Sequence, residues 1–161
     1  MILDLEPVFN NEGYSLKFDY MLGCSQASGY ITGDAHVYGA VANRAGIVSL
    51  SGKADYTVNA PCDRCAVPVQ KQVSVPLEHT LLVALSNGDE DTGEYIIVSD
   101  MRLNLDEVVT EDVILEFDSK LLCSPECKGL CPICGADLNE SQCNCKQPID
   151  PRLEGLLQFL E

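Results

Sequence analysis

The sequence predicts an α+β protein: a predominantly antiparallel β-sheet, one or two helices, and a C-terminal cysteine-rich module suited to zinc. Three observations predict this. The first half alternates apolar and polar residues with a period of two. The second half carries two helical stripes. Six of the nine cysteines fall between Cys123 and Cys145.

The strands come first. Tyr14, Leu16, Phe18, Tyr20 and Leu22 share one parity, with Ser15, Lys17, Asp19 and Met21 on the other. Such alternation is the mark of a half-buried strand. A second strand is expected from Tyr30 to Ala42, turning through Asn43-Arg44-Ala45-Gly46. Val48, Leu50, Ala54, Tyr56 and Val58 repeat the pattern. Val67, Val69, Val73, Val75, Leu77, Leu81 and Val83 repeat it again. One wet face and one buried face indicate an antiparallel meander, open or curled toward a barrel. Pro68 and Pro76 lie on the polar parity of the last run. Proline cannot donate to a ladder, so they predict an edge strand or bulges.

Ser86 to Gly93 reads as a polar loop, followed by a short strand from Tyr95 to Val98. Asn104 then suits a helix N-cap, with Glu107 three residues on. Leu105, Val108, Val109, Val113 and Phe117 form one helical face, and the helix should end near Asp118. A last helix is expected after Asp150-Pro151, with Leu153, Leu156, Leu157 and Leu160 as its stripe. The resulting division is 1–103 as an antiparallel β-rich domain and 104–161 as acidic helix, cysteine module and terminal helix. The two are either separate or packed as one unit.

Charge narrows the function. Ten basic residues face 25 acidic ones, a net charge of −15. Nucleic-acid binding draws on Lys and Arg at phosphates, so direct RNA binding is disfavoured. A basic protein partner is favoured. Eleven carboxylates lie between Asp89 and Asp118 against Arg102 alone, a local block that argues for a partner surface more than a uniform acidic coat would, with simple solubility as the plain alternative. No apolar run reaches the roughly 18 residues of a membrane span. The acidic start, Met1 to Glu6, is unlike a secretory signal, so a cytoplasmic protein is expected.

The cysteines carry the chemistry. Their spacings are too tight for disulfides and match metal-ligand spacing. Cys131-Pro132-Ile133-Cys134-Gly135 is the strongest knuckle, since Gly135 permits a left-handed turn. Cys143 and Cys145 would complete one zinc site with Cys131 and Cys134, with Cys123 or Cys127 as substitutes for either member of that pair. Cys62-Asp63-Arg64-Cys65 caps a hairpin. No helix follows it, which argues against thioredoxin-like redox chemistry. It either joins Cys123 and Cys127 in a second zinc site or stays reduced. Cys127-x3-Cys131-x2-Cys134 has radical S-adenosylmethionine spacing, but a β-meander of this length cannot supply the barrel which that chemistry needs. Thiolates alone also suit iron, so a small iron, iron–sulfur or thiol redox protein is the alternative. Cys24 reads as a buried small hydrophobe. His36 falls on a polar parity. His79 falls on an apolar one, where an interior, hydrogen-bonded histidine is expected. No catalytic grouping stands out, so the chain is not expected to be an enzyme.

Cys62-Asp63-Arg64-Cys65, Cys123-x3-Cys127-Lys128-Gly129-Leu130-Cys131-Pro132-Ile133-Cys134-Gly135, Asp137-Leu138-Asn139, Cys143-Asn144-Cys145 and Asp150-Pro151-Arg152-Leu153 together resemble the YceD family. Its members are described as large-subunit ribosomal RNA accumulation proteins. The motifs span about residues 14 to 160, and the Lys-Gly-Leu-Cys-Pro core is the specific part. The resemblance implies a bacterial cytoplasmic factor in ribosome biogenesis. It supplies no catalytic residues. Some members lack the C-terminal cysteines while keeping a pair like Cys62 and Cys65. Gly155 departs from the alanine expected there. The implied partner is a basic ribosomal protein or a large-subunit assembly intermediate, with no membrane involved.

Overall fold

The structure is a computed structural model and describes residues 1–23, 31–84, 95–118 and 120–145. Cys24, the loop 86–93 and the expected helix after Asp150 lie outside the described residues.

In chain order the elements are β1 (Ile2–Asp4), α1 (Glu6–Asn10), β2 (Ser15–Gly23), β3 (Ile31–Arg44), β4 (Ile47–Pro61), β5 (Pro68–Leu82), β6 (Tyr95–Ile97), β7 (Arg102–Asn104) and α2 (Leu105–Glu116). Five strands form one sheet in the order β2-β3-β4-β5-β6, and β1 pairs with β7 in a second. β2 and β3 are antiparallel, with Ser15 opposite Ala42 and Gly23 opposite Asp34. β3 and β4 are antiparallel, with Val41 opposite Leu50 and a bulge between Thr32 and His36. The short connection from β4 to β5 permits only an antiparallel return.

The fold is the expected antiparallel-rich α+β type, with one departure. β6 runs parallel to β5, pairing Tyr95 with Thr80 and Ile97 with Leu82. A parallel pair needs a crossover of about a dozen residues, and the stretch 83–94 provides that length. Both prolines of β5 precede the registered pairing, where an absent N–H costs no β5–β6 hydrogen bond.

The alternating parities become the core. Val48, Leu50, Ala54, Tyr56 and Val58 of β4 are buried, as are Val75, Leu77 and Leu81 of β5. Phe18, Val37 and Val41 join them. On α2 the buried residues are Leu105, Val108, Val109 and Val113. Asn104 holds the N-cap position in extended backbone but makes no side-chain capping bond. The Leu105 N–H instead donates to the Met1 carbonyl at 3.0 Å, because β1 lies beside β7.

The chain divides into two compact units, and the division is not a linear cut. The first comprises Met1–Ala60 and Gln70–Ser119, the second Pro61–Val69 and Lys120–Glu161. The tip of the β4–β5 connection therefore belongs to the unit that holds the C-terminal cysteines. Among the described residues no helix is long and apolar enough to cross a membrane.

Candidate metal centres

The second unit gathers eight cysteines into two groups of four. Cys62, Cys65, Cys123 and Cys127 form one, and Cys131, Cys134, Cys143 and Cys145 form the other. Within each group the sulfurs lie within 4.8 Å of one another. All eight are free thiols. Cys123 and Cys127 therefore lie with the hairpin pair, and do not take the place of Cys143 or Cys145. The radical-enzyme spacing is also divided, because Cys127 belongs to a different group from Cys131 and Cys134.

Each group is built on a knuckle, and the two knuckles share one hydrogen-bond pattern. In the second, Gly135 N–H donates to the Cys131 carbonyl at 2.9 Å, and Cys131 N–H donates to Ala136 O at 2.8 Å. Gly135 has φ +73°. In the first, Ala66 N–H donates to the Cys62 carbonyl at 2.8 Å, and Cys62 N–H donates to Val67 O at 2.8 Å. Ala66 has φ 61°. The left-handed residue after the second cysteine is the same device in both, with an alanine in the hairpin where glycine is usual.

The partner strand of chain is tied to the hairpin on both sides. Asp63 N–H donates to Leu121 O at 2.9 Å. Leu121 N–H returns a bond to Asp63 Oδ2 at 2.6 Å. Arg64 Nη1 donates to Cys127 O at 2.7 Å. These contacts hold Cys123 and Cys127 opposite Cys62 and Cys65, with Val69 and Leu122 packed against Cys62, Cys65 and Cys127.

Sulfur separations test the fit to a metal. Four thiolates on zinc, each with a bond of about 2.3 Å, sit about 3.8 Å apart in a tetrahedron. Cys62 and Cys127 sulfurs are 3.9 Å apart, and Cys65 and Cys123 sulfurs 3.5 Å apart. The donors are all thiols, a set for zinc or iron and not for magnesium or calcium. Four protein ligands per group leave no open position for substrate, which is the form of a structural site.

The thiols are electrostatically uneven. Burial pushes Cys62 up, but backbone N–H groups around Arg64, Cys65 and Cys123 outweigh it and bring the thiol down to about 6. One of these bonds is Cys123 N–H to Cys62 Sγ at 3.3 Å. In the second group, N–H groups at Cys134 and Ile133 lower Cys131 to about 6. Their neighbours pay in the opposite sense. The Val67 N–H lowers Cys65, yet burial and the surrounding thiols leave it at about 12. Cys134 and burial raise Cys145 to about 12. Each group thus pairs one thiol lowered toward a ready thiolate, Cys62 or Cys131, with one that holds its proton more tightly, Cys65 or Cys145.

Neither histidine belongs to either group. His79 Nε2 lies 2.7 Å from Asp112 Oδ2, with both side chains largely covered. His36 Nε2 lies 2.9 Å from Asp19 Oδ1 on an exposed face.

The fold and the paired knuckles define a β-rich protein with eight thiols in two groups, each of which could hold a metal ion. The chain belongs to the YceD family: residues 50–160 match the family described as large ribosomal RNA subunit accumulation protein YceD. Uncharacterised proteins of Mycobacterium tuberculosis and Mycobacterium bovis are 36% identical over 110 residues, covering 65% of this chain and 53% of theirs. A Zea mays protein named large ribosomal RNA subunit accumulation protein YCED homolog 1, chloroplastic, is 26% identical over 136 residues, covering 66% of this chain and 46% of its own. The chain thus spans about half the length of the curated relatives it matches. No solved structure matches it.

Proposed function

We propose that this protein is a non-catalytic factor in bacterial ribosome biogenesis, supporting the accumulation of large-subunit ribosomal RNA from the cytoplasm. The observation that carries the reading is the family match over residues 50–160, whose description names large ribosomal RNA subunit accumulation. Its mode of action is contact with a basic ribosomal or assembly protein. The net charge of −15 opposes a phosphate backbone and favours a cationic partner. The outer face of α2 suits such a partner, since Glu107 and Glu111 are exposed and the helix contains no Lys or Arg. Ile114 and Leu115 are exposed on the same helix and add apolar contact area.

Both cysteine groups hold zinc in this reading. The ions would be gripped by Cys62, Cys65, Cys123 and Cys127 and by Cys131, Cys134, Cys143 and Cys145. Their work is to cross-link a unit whose own apolar core is small. Each filled site carries +2 − 4 = −2, which deepens the acidic character of the chain.

The test is affinity purification from the native cells with and without RNase. Basic ribosomal proteins retained after RNase support the proposed contact. Their loss on RNase treatment, or binding indifferent to raised salt, removes it.

A further inference from the structure

The segment between the two cysteine groups, Lys128-Gly129-Leu130, is hydrogen-bonded to both. Leu130 N–H donates to the Arg64 carbonyl at 3.1 Å, inside the first knuckle. Lys128 N–H donates to Asn139 Oδ1 at 2.8 Å. Asn139 lies in the excursion between Cys134 and Cys143, so it belongs to the second group's loop. Its Nδ2 has two hydrogens, and both have acceptors. One is Asp137 Oδ1 at 2.7 Å. The other is Cys127 Sγ at 3.5 Å, a sulfur of the first group. Lys128 N–H is a donor only, which settles the orientation of the amide and leaves the nitrogen facing the sulfur. Asn139 N–H also donates to Asp137 Oδ1 at 2.8 Å, holding the side chain in place.

We propose that Asn139 is a positioning residue that couples the two groups, so that closing the second group on its metal strengthens the first group's hold on its own. The inference rests on the reading that both groups bind metal. A directed N–H draws charge from a ligating thiolate and eases repulsion among four of them. The donor sits on the loop from Cys134 to Cys143, and metal at the second group pins both ends of that loop. That loop is local, whereas the first group must bring Cys65 and Cys123 together across 58 residues. Coupling of this kind is reciprocal: metal at the first group also strengthens the second.

The test uses the full chain loaded with cadmium-113 and read by its NMR resonances. Wild type should give two thiolate-bound signals, with the first group's identified by its loss in a Cys62→Ser, Cys65→Ser variant. In Asn139→Ala that signal should shift, and a chelator should remove its ion about tenfold more readily. Asn139→Asp keeps an acceptor for Lys128 N–H but loses the donor to sulfur, so it should behave as the alanine does. Emptying the second group by Cys143→Ser, Cys145→Ser should weaken the first group in wild type and add little in the Asn139→Ala background. Fully additive effects, or an Asn139→Asp variant that holds cadmium as wild type does, would overturn the coupling and leave the two-metal reading intact. Wild type without any thiolate-bound cadmium would overturn both.

Discussion

A Cβ placed on Gly129 would lie 3.0 Å from the carbonyl oxygen of Arg64. Gly129 also has φ +75°, a backbone state that side chains resist. Two separate constraints therefore demand glycine in the segment joining the cysteine groups. Gly129→Ala should cost about 1–3 kcal/mol, the scale of local backbone strain. The loss should appear as lower stability of the second unit and earlier metal release in a denaturant titration. Wild-type behaviour in that titration would show that the segment yields without cost.

Much of this fold was legible in the sequence, and the reasons are local. Parity marked Val48, Leu50, Ala54, Tyr56 and Val58 as one face, and all five are buried. A four-residue spacing marked Leu105, Val109 and Val113, which are also buried. The Cys131–Cys134 knuckle was readable because Gly135 announces its turn. Ala66 adopts the same left-handed state without any such signal, so the sequence alone does not decide between a metal-binding and a reduced hairpin knuckle. Its grouping with Cys123 and Cys127 depends on Asp63 and Arg64 reaching Leu121 and Cys127, contacts that no local pattern encodes. Asn139 was visible only as part of a family motif. Its contact with Cys127 needs the folded loop. The parallel entry of β6 was hidden for a similar reason, since alternation reports which face is buried and not which way a strand runs.

His79 and Asp112 provide a test that separates structural from ligand histidines. They meet at 2.7 Å with side chains 25% and 15% exposed. His79→Leu would leave a covered carboxylate without this partner, at a cost of about 1–3 kcal/mol. The metal content of the purified protein should not change. A lower metal-to-protein ratio by elemental analysis would contradict that assignment.

Metal removal should act on one unit only. The buried cluster of the second unit centres on Cys62, Cys65 and Cys127 with Val69 and Leu122 beside them, too little apolar surface to hold a fold unaided. The first unit has its own core in Leu50, Leu77, Leu81, Leu105 and Val109. A strong chelator should therefore abolish amide-exchange protection in 61–69 and 120–145 while leaving β2, β3, β4 up to Ala60 and β5 from Gln70 protected. Stoichiometric zinc in a colourless protein is the matching analytical result. Visible absorbance from thiolate–iron charge transfer would instead favour the iron alternative. Uniform loss of protection would mean that the first unit also depends on metal.

Acid should release the ions, and the thiols set the window. Cys62 and Cys131 stand at about 6, so each begins to take up its proton as pH falls toward that value. Cys65 and Cys145 stand at about 12, so at neutral pH they are protonated in the metal-free chain and must lose protons when a cation binds. Binding therefore liberates protons, and apparent affinity must rise with pH. The sign is fixed by the bound state, in which every ligating sulfur is a thiolate. From about pH 6 upward the zinc affinity should increase steadily, because the high-lying thiols still have protons to lose. Below about 6 it should fall more steeply, as Cys62 and Cys131 join them. Competition against a chromophoric chelator, corrected for the chelator's own protonation, measures both limbs. Proton release on zinc addition in weak buffer gives an independent reading. A flat affinity across this range would exclude thiols as the principal ligands.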